Sequence, residues 1–148
     1  MTTALSAAQL PARAEAETRR PLDVLVADDH ELSQMMTCAL LSSLGHRVEG
    51  VRNGRDAVAA VQSHPYDLVL MDMNMPEMDG MTATRVIRGL TTPANVTPIV
   101  ALTAHTFAGL REELLAAGMN DYLSKPIRIA ALVTTLAHWE PRDGRSAA

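Results

Sequence analysis

Five short apolar runs alternate along the sequence with five segments in which apolar residues recur at helical spacing. The runs cover residues 23–29, 46–52, 67–72, 99–103 and 122–125, and the helical segments cover 32–40, 57–61, 83–90, 107–117 and 129–136. Strands that alternate with helices in this way predict a parallel sheet with helices on both faces and right-handed crossovers. We therefore predict an α/β domain of five βα units. The second run has only Val48 and Val51 as large apolar residues, which indicates an edge strand.

The third run ends in a carboxylate, Asp72, and is followed by a turn that Pro76 and Gly80 bracket. We expect Pro76 to fix φ and Gly80 to accept a positive φ, so that the strand stops and a helix begins. A carboxylate fits poorly inside an apolar layer. The sequence therefore predicts Asp72 at the carboxyl edge of the sheet, facing the crevice where open α/β sheets bind ligands.

Length and composition favour a single domain, since the chain has 148 residues, of which 47% are hydrophobic. We interpret residues 1–21 as a flexible leader or linker, 22–139 as the domain and 140–148 as a flexible tail. A formal net charge of -4 and an aromatic content of 3% argue against nucleic-acid binding, which uses basic surfaces and stacking rings. A single cysteine, Cys38, and the lack of an apolar run of membrane-spanning length favour a cytoplasmic protein without membrane contact.

Polar side chains stand at the ends of four of the predicted strands: Asp28 and Asp29, Asp72, Thr103, and Lys125. The carboxyl ends of parallel strands meet at one edge, so these side chains are expected to converge there. Neighbouring carboxylates repel each other by roughly 4 kcal/mol per close pair at an effective dielectric near 20, so they favour a bound cation. A cluster of oxygen ligands suits Mg²⁺, and with the metal bound Asp72 is a candidate nucleophile toward a phosphoryl group.

Each of these residues has a structural interpretation when it is taken alone. Asp28 or Asp29 is a typical helix N-cap, Thr103 a typical capping residue, and Lys125-Pro126 a typical turn. Their convergence at one sheet edge favours the functional interpretation. Lys125 is also the only lysine of the chain, which indicates a site that needs a compact ammonium group, and the Thr103 hydroxyl suits a phosphoryl oxygen.

As a set these motifs resemble the response-regulator receiver domain of two-component signalling, from about Val24 to Leu136. The motifs are Asp28-Asp29, Asp72 followed by Met75-Pro76-Glu77-Met78-Asp79-Gly80, Thr103-Ala104, Tyr122 and Lys125-Pro126. The resemblance implies a flavodoxin-like (βα)5 three-layer sandwich with strand order 2-1-3-4-5. It implies an acyl phosphate on Asp72 and Mg²⁺ held by Asp28 or Asp29, Asp72 and the backbone carbonyl of Asn74. It also implies a cis Lys125–Pro126 peptide bond, and a switch in which Thr103 and Tyr122 move and alter the face formed by helix 4, strand 5 and helix 5.

Residues 101–105 and 117–127 are most similar to receivers attached to hybrid sensor histidine kinases, although His30 and Ser33 stand where that subgroup usually has Asn. This similarity implies a phosphohistidine donor on a four-helix bundle, either the kinase itself or a histidine phosphotransfer domain. The implied docking surface is the exposed side of residues 30–44, with Gln34 and Ser42 as outward positions, together with the segment around Ile127.

The sequence leaves three interpretations of the chain open. The chain is either a receiver of a hybrid kinase or a stand-alone response regulator. A more remote alternative is an aspartyl-phosphate hydrolase resembling the haloacid dehalogenases, but those enzymes need an acid two residues after the nucleophile, where this chain has Asn74. Without any glycine-rich ATP motif, we interpret the chain as a self-catalysed phosphoacceptor rather than an enzyme, whose parent polypeptide could be a histidine kinase.

Overall fold

The computed structural model describes residues 21–139. Its strands are β1 (Asp23–Ala27), β2 (Arg47–Val51), β3 (Leu68–Asp72), β4 (Ile99–Thr103) and β5 (Asp121–Ser124). Its helices are α1 (Glu31–Ser43), α2 (Gly54–Ser63), α3 (Gly80–Arg88), α4 (Leu110–Ala117) and α5 (Ile129–Trp139). The leader assigned to residues 1–21, apart from Pro21, and the tail assigned to 140–148 lie outside the described residues.

The strands form one parallel sheet, as the alternation of strands and helices predicted, in the order β2-β1-β3-β4-β5 that the family resemblance implied. All five residues of β3 and of β4 are buried, because helices cover both faces of the sheet centre. No residue of β2 is fully buried, which agrees with its predicted place at the edge. The central strands therefore give a rigid platform whose carboxyl ends hold the polar residues singled out above.

Successive residues of β3 enter two different cores, as expected from the period of two along a strand. Val69 and Met71 pack against α2, α3 and α4 on one face. Leu68 and Leu70 pack against α1 and α5 on the other face. The fold is thus the predicted three-layer sandwich, with three helices on one side and two on the other.

Helix α1 turns its apolar stripe away from the core. Its buried residues are Thr37 and Leu41, whereas Leu32, Met35 and Met36 are 60%, 58% and 55% exposed. Helical spacing correctly predicted the helix, but it does not determine which side of the helix meets the sheet. The exposed apolar side chains are unusual enough to need a functional explanation, because isolated domains seldom present such a stripe to water.

Helix α4 begins later than the predicted segment 107–117. Gly109 adopts a left-handed conformation with φ of 90°, and the helix starts at the following residue. Phe107 is therefore outside the helix and 53% exposed, instead of lying on its buried face. The short 3₁₀ helix Pro93–Val96, which leads into β4, was also absent from the sequence prediction.

The turn after β3 uses its glycine for a reason other than the expected one. The residue with positive φ is Glu77, at 65°, whereas Gly80 does not adopt a positive φ. A Cβ atom at Gly80 would lie 2.3 Å from the backbone oxygen of Asp72. The glycine is thus needed because the start of α3 passes directly over the end of β3, and this contact fixes the position of Asp72.

Candidate functional site

The carboxyl ends of β1, β3, β4 and β5 bring the predicted polar residues together. Asp72 and Thr103 are the last residues of β3 and β4, and Asp28 directly follows β1. Lys125 directly follows β5, and its backbone N–H donates to the Thr103 carbonyl at 2.8 Å. We call the space bounded by Asp28, Asp29, Asp72 and Lys125 the acidic crevice.

Lys125 joins the two buried carboxylates of the crevice. Its Nζ atom lies 3.2 Å from Asp28 Oδ2 and 3.2 Å from Asp72 Oδ2. Asp28 is fully buried and Asp72 is 5% exposed. Buried charges of one sign need a counter-charge, and the Lys125 ammonium supplies it to both carboxylates.

The two buried carboxylates differ in their hydrogen bonds. Asp28 accepts the His30 backbone N–H on Oδ1 at 3.0 Å and the Ser33 hydroxyl on Oδ2 at 2.7 Å. Asp72 accepts one backbone N–H, from Asn74, on Oδ1 at 3.2 Å. Since hydrogen bonds to the ionised form stabilise it, Asp28 is the better stabilised anion of the pair.

The pKa values of the pair move in opposite directions. Burial, with the adjacent Asp28 carboxylate, raises the pKa of Asp72 to about 6, against smaller opposing effects of the Asn74 N–H and Lys125. Burial also opposes ionisation of Asp28, but the hydrogen bonds from Ser33 and the His30 backbone hold the pKa of that carboxyl below its usual range. Asp72 is therefore the member of the pair that gains most from an added positive charge.

The carboxylates fit a hard divalent cation. Asp28, Asp29 and Asp72 each offer an oxygen atom, and these atoms lie within 4.8 Å of one another. The set contains oxygen alone, without histidine or cysteine, and Asp29 is exposed to solvent. This chemistry matches Mg²⁺, which accepts a few carboxylates and keeps bound water.

The contacts of Thr103 and Tyr122 are with residues outside the acidic crevice. The Thr103 hydroxyl donates to the His105 carbonyl at 2.8 Å and accepts the His105 backbone N–H at 3.1 Å, so it is not bonded to Asp72. Tyr122 is half-buried, and the Arg111 guanidinium lies over its ring, 5.5 Å from the centroid. The Lys125–Pro126 bond is cis, as the family resemblance implied.

Sequence reasoning did not assign Ser33, His30 or Gln34 to the site. Ser33 contacts Asp28, as described above, and His30 caps α1 through its ring Nδ1, which accepts the Ser33 N–H at 3.3 Å. Gln34 was expected to point outward, but this prediction is wrong: its side-chain amide donates to the Val51 carbonyl at 2.6 Å. Ser33 was detectable in principle, because it lies on the first turn of the helix that the Asp28-Asp29 pair precedes.

A cavity of about 590 Å³ continues from the crevice along α1, and we call it the α1 cavity. Asp29, Asp72, Asn74 and Lys125 line its polar end. Its apolar wall consists of Leu32, Met36, Leu40, Ala104, Pro126 and Ile127. Two of the exposed apolar residues of α1 therefore belong to a concave surface that ends at Asp72.

The fold and the crevice define an open α/β domain with a buried acidic pair, a lysine and a candidate cation site at the carboxyl edge of its sheet. The family model of the response regulator receiver domain matches residues 24–137. The chain belongs to the response-regulator receiver family.

Curated relatives are sensor kinases much longer than this chain. It is 39% identical over 130 residues to the signal transduction histidine-protein kinase BarA of Escherichia coli K12, an alignment that covers 88% of this chain and 14% of the kinase. It is 41% identical over 143 residues to the sensor histidine kinase GacS of Pseudomonas protegens, covering 92% of this chain and 16% of the kinase. The chain thus spans about a seventh of the length of these relatives.

Solved receiver domains share the fold. The receiver of a sensor histidine kinase from Pseudomonas aeruginosa PAO1, which holds magnesium in its active-site cleft, is 42% identical, with a TM-score of 0.74 and coverage of 81% of this chain and 98% of that one. The chemotaxis protein CheY4 of Vibrio cholerae is 30% identical, with a TM-score of 0.74 and coverage of 81% and 99%. Within residues 21–139, no helix is both long and apolar enough to cross a bilayer.

The raised pKa of Asp72 predicts a pH-dependent gain in stability for Asp72→Asn. Protonated Asp72 favours the folded state, so its contribution is complete below about pH 4 and is lost as the pH rises through about 6. In metal-free buffer at pH 7.5 we expect Asp72→Asn to melt about 5 °C above the parent. At pH 4.5, which is closer to the unfolded pKa, this difference in melting temperature should fall to about a third of its value at pH 7.5.

Differential scanning fluorimetry at the two pH values measures this difference. Glu112→Gln, which alters an exposed carboxylate on α4, serves as the control and should follow the parent at both. A difference in melting temperature between Asp72→Asn and the parent that stays constant with pH would contradict the raised pKa of Asp72.

Proposed function

We propose that this chain is the phosphoacceptor module of a two-component phosphorelay, in which Asp72 receives a phosphoryl group from a phosphohistidine in the presence of Mg²⁺. The observation that carries the proposal is the position of Asp72. It ends the central strand β3, is 5% exposed, and lies 3.2 Å from the Lys125 ammonium. No other carboxylate among residues 21–139 combines a buried strand end, a lysine and two neighbouring acids.

Each residue of the crevice has a distinct part in this reaction. An Asp72 carboxylate oxygen attacks phosphorus, and the donor nitrogen leaves with the electron pair. The Lys125 ammonium, a compact charge on a flexible side chain, remains close to the phosphoryl oxygens as negative charge develops on them. Asp28, Asp29, Asp72 and the Asn74 carbonyl are the proposed ligands of Mg²⁺, which supplies positive charge that offsets the carboxylates and the phosphoryl oxygens.

Two observations support a hybrid-kinase origin over a stand-alone regulator. The curated relatives BarA, GacS and RcsC are sensor kinases, and the kinase receiver from Pseudomonas aeruginosa is more similar in sequence than CheY4, at 42% against 30%. The parent polypeptide would then be the kinase, whereas this segment accepts the phosphoryl group. A dehalogenase-like hydrolase is not supported, because Asn74 offers Asp72 an N–H and not an acid.

The proposed donor docks on α1 and the α1 cavity. The yeast receiver Ssk1, 26% identical to this chain with a TM-score of 0.73, is known in complex with the histidine phosphotransfer protein Ypd1. Leu32 and Met36 are exposed, and they line the same cavity as Ile127. A helix that presents a phosphohistidine to Asp72 could cover these apolar side chains, which explains why α1 turns its apolar stripe outward.

The first prediction from this proposal concerns chemical labelling. Incubation with Mg²⁺ and acetyl or carbamoyl phosphate should add one phosphoryl group, seen by intact mass, and Asp72→Asn should abolish it. Undiminished labelling of Asp72→Asn would refute Asp72 as the phosphoacceptor.

Asp29→Asn and Asp28→Asn should each weaken Mg²⁺ binding roughly tenfold or more by calorimetry, since each removes an anionic oxygen. Equal Mg²⁺ affinity in the parent, Asp28→Asn and Asp29→Asn would refute these two aspartates as metal ligands.

The second prediction concerns the switch. We propose that Thr103 leaves the His105 backbone for the phosphoryl group and that Tyr122 then turns inward, altering the face of α4, β5 and α5. Thr103→Ala should therefore still be labelled at Asp72 yet lose most of the label-induced NMR shifts around Tyr122. Thr134→Ala, whose hydroxyl bonds only within α5 at 3.1 Å, is the matched control. A full response in Thr103→Ala would disprove the coupling.

The third prediction concerns docking. Leu32→Arg should slow transfer from a phosphorylated histidine phosphotransfer domain at least tenfold, because it places a charge in an apolar contact. The same variant should remain labelled by acetyl phosphate, which needs only the crevice. Leu115→Arg, at a 52% exposed position on α4, should transfer like the parent. Equal loss with both donors, or no loss with either, would show that the donor docks elsewhere.

A further inference from the structure

The α1 cavity is larger than a phosphoryl group and a small donor require. Its volume of about 590 Å³ lies in the range of pockets that hold drug-sized ligands. Asp29, Asp72, Asn74 and Lys125 belong to the crevice, and of the remaining nine lining residues six are apolar, while His30, Ser33 and Thr37 are polar. Acetyl phosphate would fill the polar end and leave the side chains of Leu32, Met36 and Ile127 hydrated.

A ligand that fills the whole cavity must combine two chemistries. The polar end offers the Lys125 ammonium, which is 20% exposed and can meet an anion. The apolar wall offers a thioether and aliphatic side chains, and flexible methionine side chains adapt well to aromatic rings. A phosphoanion joined to an aromatic or branched apolar group satisfies both ends at once.

We infer that the α1 cavity is a binding site for the apolar acyl group of mixed acyl phosphates, so that the chain takes phosphoryl groups from aromatic acyl phosphates in preference to acetyl phosphate. This inference rests on the proposed function, because it needs Asp72 as the acceptor. It adds a class of small-molecule donor whose recognition depends on the apolar wall of the α1 cavity.

The transfer balances without any further reactant. A carboxylate oxygen of Asp72 forms a bond to phosphorus, and the bond between phosphorus and the bridging acyl oxygen breaks. The electron pair of that bond leaves with the carboxylate, for example benzoate from benzoyl phosphate. The total charge is unchanged, because one carboxylate is consumed and another is released, and no proton is transferred.

The size of the preference follows from the apolar area involved. Each buried methylene group strengthens binding roughly fourfold. A phenyl ring adds several carbons relative to a methyl group, but the cavity is open on one side, so part of the ring stays hydrated. We therefore expect the half-saturating concentration of benzoyl phosphate to be about tenfold lower than that of acetyl phosphate.

The experiment measures initial rates of Asp72 labelling by intact mass against the concentration of each donor, at one Mg²⁺ concentration. The result is expressed as the ratio of the half-saturating concentration of acetyl phosphate to that of benzoyl phosphate. The test variant is Leu32→Gln with Met36→Gln, which makes the wall polar at similar volume. The control is Met35→Gln, because Met35 is exposed on the same helix turn, at 58%, but does not line the cavity.

A ratio near ten in the parent and in Met35→Gln, reduced at least threefold in the double variant, would support the inference. A ratio near one in the parent would overturn it, as would a high ratio that the double variant leaves unchanged. Labelling by acetyl phosphate with a ratio near one leaves the phosphoacceptor role of Asp72 intact. Failure of labelling by both donors would instead overturn the proposed function.

Discussion

The ammonium of Lys125 between two buried carboxylates is the interaction on which the rest of the site depends. At an effective dielectric near 20, two ionised carboxylates in close contact cost roughly 4 kcal/mol, and a single cation can offset only part of the total charge. The crevice therefore remains short of positive charge, which favours the binding of a divalent cation such as Mg²⁺. Such a site can persist only on a rigid support, and the fully buried strands β3 and β4 provide it.

The glycine at the start of α3 shows how tightly that support is built. Its missing Cβ atom allows the helix to approach the Asp72 backbone oxygen, where a methyl group would lie at 2.3 Å. On the other side, the Asn74 N–H donates to the Asp72 side chain. Backbone and carboxylate are thus held by the two ends of the same turn, so that Asp72, the proposed nucleophile, is oriented before any ligand arrives.

The sequence alone was enough to predict the sheet and the convergence of the site residues. It was not enough to predict details that depend on contacts between distant parts of the chain. The spacing of the apolar residues predicted five strands. Because parallel strands share a direction, the polar residues Asp28, Asp72, Thr103 and Lys125 at the strand ends were predicted to meet at one edge. The orientation of α1 was not predictable, since an apolar stripe can face a core or a partner. The role of Gly80 and the contact of Ser33 with Asp28 needed the packing itself, and Gly109 moved the start of α4 through its own backbone conformation.

The different surroundings of the two buried carboxylates support the proposal that Asp72, and not Asp28, is the nucleophile. Asp28 has three donors, from His30, Ser33 and Lys125, so that its lone pairs are largely occupied and its charge is well stabilised. Asp72 has two donors and a pKa raised to about 6. An anion that its surroundings stabilise poorly loses less on forming a bond to phosphorus. The Ser33 hydroxyl contributes to this asymmetry, because it donates to Asp28 and stabilises the negative charge there, which leaves Asp72 as the less stabilised anion of the pair.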